Sequence, residues 1–530
     1  MLAIHDLSHG FAAGPMLFHK LHFTLQAREK LALVGRNGSG KSSLLRCIAG
    51  ELKAQSGQCS FIQPTPVVYY VPQHFGQFNS CRVADLLGIR TKLEALNTII
   101  RGDGRPEDYV VLQDDWLVED RAQEALASWD LRYLQLEDAV TDLSGGEKTR
   151  LFLAGIQLQP VDLLLLDEPS NQLDRQGREK LYDLVENSSA AVVLVSHDRA
   201  LLRRMPTIYA LENGVLHRYG GSYDFYVEQK AKEVAAHSAN ILEKQKSLAK
   251  AKTIARESLQ QKQKQDTRGK RKQIQAGVPT IALNTLRNKA EQSSSKLKDV
   301  HQEKIARLRQ DVHALKAKPQ LSGIKMYFED PAVIRGKLLF ELKGAQLSLG
   351  GRSVWSSPLD LSLFSGDRLA ITGANGAGKS SLLKVLAGKL EVTAAAYKRA
   401  SFSALLLDQD YSAINNSLTV YEQCEQFNVS GLAEHELKIR LSRFLFDLSS
   451  WDKPCAVLSG GEKMRLLLCC LTIQQLSPDV LLLDEPTNNL DLPSLALLTT
   501  ALSDFKGTLV AISHDADFLA GIGINRFCLL

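Results

Sequence analysis

Short runs of apolar residues alternate along the chain with stretches in which polar and apolar positions follow a helical spacing. The first part of the sequence contains the apolar runs LALVG at 31–35, LLLLDE at 163–168 and AAVVLVSHD at 190–198. Uninterrupted apolar runs of this length are typical of strands that are buried on both faces of a parallel sheet. The alternation therefore predicts an α/β fold with a mostly parallel sheet.

The same groups of residues recur in the same order in the two halves of the chain. The matching pairs are GRNGSGKSSLL at 35–45 with GANGAGKSSLL at 373–383, LSGGEKTRL at 143–151 with LSGGEKMRL at 458–466, and VSHD at 195–198 with ISHD at 512–515. The step from Glu168 to His197 is 29 residues. The step from Glu485 to His514 is also 29 residues. We therefore predict a duplicated domain.

The intervals between these groups differ at one place. Gln73 and Ser144 are separated by 71 residues in the first half. The corresponding residues of the second half, Gln409 and Ser459, are separated by 50. The first half therefore contains about twenty additional residues, which we expect to form a small helical insertion at about 85–125.

The segment between the two halves has a different composition, in which Lys, Gln, Ala and Glu dominate. We therefore expect three parts: a first repeat at 1–225, a linker at 226–325 and a second repeat at 326–530. Apart from one step of five, helical spacings of three, four and seven relate the apolar positions 286, 290, 297, 300, 305, 308, 312 and 315 of the linker.

A short uncharged break, AGVPTIALN, interrupts the helical pattern of the linker at 276–284. It contains Gly277 and Pro279, and both residue types end helices. The linker is thus predicted to form two long antiparallel helices with a tip at about 268–285. Forty helical residues extend ~60 Å. A disordered basic tether is the alternative, and the serines at 293–295 favour it locally.

The composition indicates an ordinary globular protein, with 44% hydrophobic and 23% charged residues. No apolar run approaches the length of about eighteen residues that crosses a bilayer, and the first residues, MLAIHDLSHGF, lack the features of a secretion signal. The eight cysteines form no CxxC pair, which favours reduced core residues over disulfides or metal ligands. We expect a cytoplasmic protein. Because the sequence ends directly after its last apparent strand, we expect no further C-terminal domain.

The formal net charge of +5 is unevenly distributed. Residues 226–318 contain 22 Lys and Arg against 9 Asp and Glu, a net charge of +13. The rest of the chain contains 42 basic and 50 acidic residues, a net charge of −8. A lopsided basic segment of this kind favours a partner that is rich in phosphate.

Each half contains the pattern GxxxxGK[ST] after an apolar strand and before a helical segment, which is typical of a P-loop. Backbone N–H groups of such a loop surround phosphate oxygens, and the following helix directs its positive end toward them. Lys41 and Lys379 are predicted to bind the β- and γ-phosphates of a nucleotide, and Ser42 and Ser380 to supply hydroxyl ligands to Mg²⁺. The candidate phosphate-binding residues are Gly35, Arg36, Asn37, Gly38, Ser39, Gly40, Lys41, Ser42 and Ser43 in the first half, and Gly373, Ala374, Asn375, Gly376, Ala377, Gly378, Lys379, Ser380 and Ser381 in the second half.

Two adjacent carboxylates follow a buried strand in each half. Asp167 and Asp484 are expected to hold Mg²⁺, directly or through water, opposite the P-loop hydroxyls. Glu168 and Glu485 are expected to orient and polarise the water that attacks the γ-phosphate. In the alternative, the glutamates only cap the element that follows, but this does not explain why the pair recurs in both halves.

A second glycine-rich turn, LSGGE, precedes a helix in each half. With this motif the sequence resembles ATP-binding cassette proteins throughout both halves. The resemblance implies two α/β P-loop domains that are joined by the basic helical hairpin and assembled head to tail, so that the P-loop of one and the LSGGE turn of the other enclose each ATP. It also implies that Gln73 and Gln409 contact the metal and the nucleotide, and that His197 and His514 contact the γ-phosphate. Asp174 and Asp491 would lie at the interface between the two domains. The residues of the LSGGE turns that would contact nucleotide are Ser144, Gly145, Gly146, Glu147, Ser459, Gly460, Gly461 and Glu462.

The adenine contact differs between the halves. Cassettes usually place an aromatic residue on the strand before the P-loop, and Phe11 lies 24 residues before Gly35. Phe11 is either this stacking residue or part of the core. The equivalent position before Gly373 is Leu349, which departs from the family pattern. Both halves contain the lysine, aspartate, glutamate, serine and histidine of the motifs, so two hydrolytic sites are predicted.

Among cassette proteins, the chain resembles the ABC-F family of ribosome-associated twin-cassette ATPases. The residues that carry this resemblance are DEPSNQLD at 167–174, DEPTNNLD at 484–491, and GGSYDFYVEQK at 220–230, where the first repeat continues into the basic linker. The resemblance implies binding at the tRNA exit site of the ribosome, with the linker reaching toward peptidyl-site tRNA and rRNA. Basic residues near the expected tip are Lys262, Lys264, Arg268, Lys270, Arg271, Lys272, Arg287 and Lys289.

Three alternatives stay open at the level of the sequence. In the first alternative, the chain is the ATPase subunit of a transporter whose membrane part is a separate chain, although such a subunit does not need a basic segment between its cassettes. In the second alternative, the chain is a DNA-repair or chromosome-associated ATPase, although in such proteins a coiled coil usually interrupts a cassette between the P-loop and LSGGE. Finally, the linker is a solvated coiled coil that only spaces the repeats, although its charges are lopsided rather than balanced.

Overall fold

A computed structural model describes residues 2–10, 16–61, 65–275, 280–316, 336–350, 352–408, 411–474, 478–488 and 490–530. The chain divides into two compact units. One unit comprises Met1–Tyr226 and Ile324–Leu530 and contains both repeats, and the other comprises Val227–Gly323. Across the described ranges, no helix is both long enough and apolar enough to span a bilayer.

The first repeat contains two sheets. Its strands are Leu2–Gly10 (β1), Met16–Leu25 (β2), Lys30–Gly35 (β3), Ser56–Phe61 (β4), Val68–Val71 (β5), Leu163–Asp167 (β6), Ala191–Val195 (β7), Thr207–Glu212 (β8) and Val215–Gly220 (β9). The larger sheet has the order β5-β6-β7-β3-β8-β9 and is parallel except for the antiparallel pair β8 and β9. The smaller sheet, β2-β1-β4, is antiparallel. The mostly parallel α/β sheet that the apolar runs predict is therefore confirmed.

The helices of the first repeat cover the parallel sheet. They are Lys41–Ile48 (α1), Val83–Leu86 (α2), Arg90–Ile100 (α3), Pro106–Leu112 (α4), Val118–Ser128 (α5), Gly145–Gly155 (α6), Arg175–Asn187 (α7) and Arg199–Arg203 (α8), with 3-10 turns at Gly76–Phe78, Val140–Asp142 and Ile156–Leu158. Helices α3 and α4, which pack against each other, and α5 lie in the interval where the first repeat is longer than the second.

Two long helices follow the first repeat, Tyr223–Gln275 (α9) and Thr280–Lys316 (α10). Lys244 Nζ of α9 lies 3.1 Å from Asp311 Oδ2 of α10. Because this pair joins an early part of α9 to a late part of α10, the two helices run antiparallel. Residues 276–279, at the expected tip, lie outside the described residues, as does the segment 317–335 that precedes the second repeat.

The second repeat has the same architecture. Its strands are Leu338–Ala345 (β10), Ser348–Leu349 (β11), Arg352–Ser353 (β12), Leu359–Phe364 (β13), Arg368–Thr372 (β14), Ala396–Arg399 (β15), Ala404–Leu407 (β16), Val480–Asp484 (β17), Thr508–Ile512 (β18) and Arg526–Leu529 (β19). The parallel sheet has the order β16-β17-β18-β14-β19, beside an antiparallel sheet β13-β10-β15 and the pair β11-β12. The helices are Lys379–Leu386 (α11), Val420–Gln426 (α12), Glu434–Arg443 (α13), Gly460–Gln474 (α14), Leu492–Ser503 (α15) and Ala516–Gly521 (α16), with 3-10 turns at Leu448–Ser450 and Cys455–Val457.

Strand β6 shows how the apolar runs organise the core. All four of its leucines, Leu163 to Leu166, are fully buried. Because successive side chains of a strand point to opposite faces, Leu163 and Leu165 pack with the cluster that contains α1, whereas Leu164 and Leu166 pack with the cluster that contains α6 and α7. The strand then ends at Asp167, so a polar group appears where the core stops.

Replacement of Leu165 with Ala is expected to lower the free energy of unfolding of the first repeat by about 2–5 kcal/mol, because it leaves a cavity in a core that cannot fully collapse. The matched control is Leu117→Ala in the same repeat, since the side chain of Leu117 is 62% exposed. Differential scanning calorimetry of both variants checks the prediction. Equal shifts of the thermal transition would contradict the two-sided burial of β6.

Candidate nucleotide-binding sites between the repeats

The first P-loop connects β3 to α1. Gly40, the residue before α1, has φ +99°, and a Cβ there would lie 3.0 Å from the ring of Phe18. Glycine is therefore required both by the left-handed backbone and by the close contact. The ammonium group of Lys41 donates to the carbonyl oxygens of Gly35 at 2.8 Å and Arg36 at 3.0 Å. Burial lowers the pKa of Lys41.

The second P-loop, between β14 and α11, has the same geometry. Gly378 has φ +86°, and a Cβ there would lie 2.5 Å from Val354. Lys379 Nζ donates to the carbonyl oxygens of Gly373 at 2.9 Å and Ala374 at 2.8 Å. Both lysines are thus folded over their own loops, at the positive end of the next helix, where phosphate oxygens are favourably bound.

The predicted metal-binding aspartates lie beside the P-loop hydroxyls. Ser42 hydrogen-bonds to Asp167, and the hydroxyl of Tyr70 donates to Asp167 Oδ2 at 3.4 Å. In the second repeat, Ser380 Oγ donates to Asp484 Oδ1 at 3.1 Å. Burial raises the pKa of both aspartates. Each pair brings two oxygen ligands of the type that Mg²⁺ prefers to the end of a parallel strand.

The glutamates that follow have a strained backbone. Glu168 has φ +51° and Glu485 has φ +47°, the left-handed region that non-glycine residues rarely adopt. The peptide N–H of Glu168 donates to Val195 O at 2.8 Å, and that of Glu485 donates to Ile512 O at 3.0 Å. Such strain costs about 1–3 kcal/mol per residue and is found mainly at functional sites. Its recurrence at equivalent positions argues against a role in capping alone.

Each glutamate lies against the histidine that follows the next strand. His197 Nε2 lies 3.3 Å from Glu168 Oε1, and His514 Nε2 lies 3.2 Å from Glu485 Oε1. Burial raises the pKa of Glu168 to about 8 and that of Glu485 to about 7. Burial also lowers the pKa of His197 to about 3 and that of His514 to about 4. Both shifts have the same cause, because desolvation disfavours the charged form of each group.

A triphosphate with Mg²⁺ fits this arrangement. Asp167 Oδ1 and His197 Nδ1 are buried without a hydrogen-bond partner. Buried polar atoms of this kind are rare unless a ligand or water satisfies them. No group of three His, Cys, Asp or Glu side chains within the described ranges could hold a metal ion. Phosphate and water oxygens would therefore have to complete the magnesium shell, as is usual for this ion.

The first site is built from both repeats. A cavity of about 580 Å³ lies at the first P-loop. The first repeat lines it with Asn37, Gly38, Gly40, Lys41, Ser42, Ser43, Gln73, Asp167, Glu168 and His197, and the second repeat lines it with Tyr411, Leu458, Ser459, Gly460 and Lys463. The P-loop of one repeat therefore faces the LSGGE turn of the other across a cavity.

A direct hydrogen bond closes the edge of this first site. The backbone N–H of Asn37 donates to Asp491 Oδ2 at 3.0 Å, while Asp491 Oδ1 accepts from the backbone N–H of Ser494 and caps α15. Burial alone would raise the pKa of Asp491, but hydrogen bonds from Ser494 and Asn37 hold it below its usual value. Asp174 caps α7 in the same way, accepting from Gly177 N at 2.9 Å.

The second site is divided between two cavities. One, of about 400 Å³, is lined by Ser144, Gly146, Glu147, Arg150, Gln172, Leu173 and Asp174 of the first repeat with Asn375 and Gly376 of the second P-loop. The other, of about 350 Å³, lies centrally, and its lining includes Glu168, Glu485, His514 and Asn375. Lys379, Ser380 and Asp484 lie outside these two cavities.

The glutamates of the LSGGE turns have a local partner. Ser144 accepts from the backbone N–H of Glu147 at 3.3 Å, and Glu147 Oε2 accepts from the backbone N–H of Ser144 at 2.8 Å. Ser459 and Glu462 form the same pair, at 3.4 Å and 2.9 Å. These capping boxes begin α6 and α14 with Gly145 and Gly460 as their first residues. Both carboxylates therefore hold the turn in shape.

Several predicted residues lie elsewhere. Gln409 and Phe11 lie outside the described residues, and Gln73 is half-buried in the first cavity. Sequence reasoning missed Tyr70, which has no equivalent hydroxyl in the second repeat, and Tyr411. It also missed Asn171 and Asn488, which line the central cavity three residues after each glutamate. The matching offset of the two asparagines was available as a signal.

The chain is similar in sequence to known proteins over both repeats. The family model described as ABC transporter matches residues 18–171 and 356–488. The chain is 30% identical to ABC transporter F family member 5 of Arabidopsis thaliana, over 94% of this chain and 70% of that protein. It is 29% identical to the uncharacterized ABC transporter ATP-binding protein YfmM of Bacillus subtilis (strain 168), over 99% and 98% of the two chains.

A solved structure shares the fold. The archaeal ribosome recycling factor aABCE1, crystallised with the archaeal ribosomal stalk protein aP1, superimposes with a TM-score of 0.58 at 18% identity, covering 99% of this chain and 87% of that one. Together with two P-loops, two LSGGE turns and a composite cavity in one polypeptide, these matches show that the chain belongs to the ABC family as a twin-cassette protein of the ABC-F type.

Proposed function

We propose that this protein hydrolyses ATP in sites shared by its two repeats, and that ATP-dependent closure of the repeats controls its binding to the ribosome in the cytoplasm. The observation that carries the proposal is the first cavity, in which a P-loop and the LSGGE turn of the opposite repeat face each other. A ligand that touches both walls stabilises the closed arrangement by its differential affinity for it. Hydrolysis of that ligand removes the stabilisation and permits opening.

The residues of the chain have separate tasks in this proposal. Lys41 leaves its two carbonyl partners and binds phosphate oxygens, while Ser42 and Asp167 hold Mg²⁺, which when bound neutralises charge on the β- and γ-phosphates. Glu168 accepts a hydrogen bond from the attacking water and polarises it. His197, uncharged because burial lowers its pKa to about 3, contacts the γ-phosphate. Lys379, Ser380, Asp484, Glu485 and His514 have the same tasks at the second site.

The ribosomal part of the proposal rests on the linker. Residues 226–318 carry a net charge of +13 on two long helices, and Lys264, Arg268 and Arg271 are exposed near the end of α9. Phosphate contacts from such residues position a protein on RNA without reading its sequence. A structural neighbour, aABCE1, is described as a ribosome recycling factor. We therefore propose binding at the tRNA exit site, with the linker directed toward peptidyl-site tRNA and rRNA.

The Glu168→Gln, Glu485→Gln double variant is expected to hydrolyse ATP at least about 10²-fold more slowly than the wild type, because the attacking water loses its polarising carboxylate. Binding of a fluorescent ATP analogue should be retained. Steady-state release of phosphate measures the first effect. Glu119→Gln, an exposed carboxylate in α5, is the matched control and should leave the rate unchanged. Hydrolysis by the double variant at the wild-type rate would show that these glutamates do not polarise the attacking water.

Stability of the protein without nucleotide and metal is expected to fall as the pH rises from 6.5 to 8. The buried glutamates keep their protons up to about pH 8 for Glu168 and about pH 7 for Glu485, whereas an unfolded carboxyl ionises near 4.5. The stabilisation from that proton is present at low pH and is lost as the pH rises through these values. His197 and His514, with lowered pKa values, add the opposite dependence only below about pH 6.5.

Thermal unfolding in EDTA at a series of pH values measures this effect. The double glutamine variant is the control, because it has no proton to lose at these positions, and its midpoint should be flatter between pH 6.5 and 8. An identical pH dependence of both proteins would mean that the two glutamates are already ionised in the folded state.

In the double variant with ATP, neutralising Lys264, Arg268 and Arg271 to Gln should weaken cosedimentation with ribosomes and reduce its salt dependence, because phosphate contacts release counterions. The matched control changes three exposed basic residues in an earlier part of α9, Lys250, Lys252 and Arg256. Affinity for ATP should stay the same in both. Equal loss in the two triple variants would indicate nonspecific attraction, and migration of the parent with membranes or chromosomal DNA would overturn the ribosomal proposal.

A further inference from the structure

Tyr411 occupies a position that the known motifs do not explain. It lies two residues after Gln409 and lines both the first-site cavity and the central cavity. In the first-site cavity it comes from the repeat opposite to the P-loop, together with Ser459 and Gly460. In the central cavity it shares the lining with Glu168. The residue is therefore placed where the two repeats meet around the first phosphate site.

The backbone of Tyr411 is held firmly. It has φ +53°, a left-handed conformation that is strained for an aromatic residue. Its N–H donates to Asp408 O at 3.1 Å, and its carbonyl oxygen accepts from Ile414 N at 2.8 Å. Asp408 also accepts from the backbone N–H of Ser412 at 2.7 Å. These bonds hold Tyr411 in a strained backbone conformation, and strain of this kind concentrates at ligand-binding sites.

The side chain of Tyr411 is buried, yet its hydroxyl makes no hydrogen bond within the described residues. The residue is 8% exposed, and its ring packs in the core of the second repeat. Tyr411 lines both cavities, where a bound ligand could supply the missing hydrogen-bond partner. Burial raises the pKa of Tyr411 far above its usual value. The phenol is therefore a neutral donor at physiological pH.

The first repeat has no such donor at the equivalent position. Phe75 lies two residues after Gln73 and is also 8% exposed. Its ring stacks on Phe152 with a centroid separation of 5.3 Å. Phe75 lines the central cavity beside Asn375 of the second P-loop. Each P-loop thus meets an aromatic residue of the opposite repeat. Of these two aromatic residues, Tyr411 carries a hydroxyl group and Phe75 does not.

We propose that Tyr411 contacts the substrate of the first site in trans, donating a hydrogen bond from its hydroxyl to a γ-phosphate oxygen of the ATP held by the first P-loop. A phosphate oxygen is the suitable acceptor, because a neutral phenol donates and negative charge is spread over the oxygens of the transferring phosphoryl group. The added donor stabilises charge on the transferring group. The first site, which Glu168 serves, therefore hydrolyses ATP faster than the second. This inference rests on the proposed ATPase activity.

Single-turnover hydrolysis of ATP tests the inference site by site. In the Glu485→Gln background only the first site retains its glutamate, and Tyr411→Phe should slow hydrolysis there roughly three- to tenfold, the effect of one lost hydrogen bond. In the Glu168→Gln background only the second site is competent, and the same substitution should slow hydrolysis by less than in the Glu485→Gln background, because the proposed contact is with the ATP of the first P-loop. Thermal unfolding should show the same midpoint with and without the hydroxyl, because Phe keeps the ring.

The outcomes separate the two levels of the proposal. An unchanged rate for Tyr411→Phe in the Glu485→Gln background, or equal slowing in both backgrounds, would overturn the contact with γ-phosphate while leaving the ATPase proposal intact. Absence of hydrolysis in the wild type would overturn the ATPase activity, and the role of Tyr411 with it. Slowing that follows a lowered thermal midpoint would assign Tyr411 to packing instead.

Discussion

Two carboxylates at the end of a strand that is otherwise apolar are largely removed from water, and the chemistry of each site follows from that constraint. Asp167 is 1% exposed and Glu168 is 7% exposed. An unpaired buried charge is too costly to persist, so such a group either takes up a proton or acquires a partner. The raised pKa of Glu168 is the first response. Mg²⁺ bound at Asp167 would be the second, since a nearby cation favours ionised carboxylates.

Because of this constraint, the binding of a cation would change the reactivity of Glu168. The carboxylate of Glu168 is a better acceptor from water when ionised, and a bound cation favours the ionised form. Glu168 and Glu485 share a left-handed backbone, and the carboxyl group of each lies against the histidine that follows the next strand. Because the strain is present before any ligand is bound, little rearrangement is needed at the moment of reaction. The same logic explains why the strand itself must be apolar: polar neighbours would remove the pKa shift.

The two sites share their motifs but not their surroundings. Asp491 accepts a hydrogen bond from the opposite P-loop, whereas the described contacts of Asp174 are those of a helix cap. Tyr70 donates to Asp167, while the paired position in β16 is Leu406. These differences lie outside the repeated motifs. Duplication therefore preserves the phosphate chemistry and leaves the environment free to make the sites unequal.

Much of the fold was predictable because it depends on local sequence. Apolar runs, glycine loops and equal spacings predict two α/β domains, and the helices Arg90–Ile100 and Pro106–Leu112 lie in the interval that is longer in the first repeat. The sequence did not predict contacts that form only where the two repeats meet. The place of Tyr411 in the first cavity does not follow from spacing, whereas the S-x-x-E spacing of Ser144 and Glu147 is a capping-box signature that the predicted nucleotide contact left out. A trans contact depends on how two surfaces meet, and a carboxylate next to a serine fits a cap or a ligand site equally well.

The distribution of charge limits what the linker can contribute to recognition. Interactions between exposed charges are largely screened beyond about 8 Å at physiological ionic strength, so the +13 of residues 226–318 acts on phosphates that lie close to the helices of 53 and 37 residues. Attraction to phosphate is therefore local to the linker. Such contacts carry no base identity and differ little from one RNA surface to another. If the protein binds the ribosome as proposed, selection of one ribosomal state would have to come from the shape of the two repeats around the composite site rather than from the basic helices.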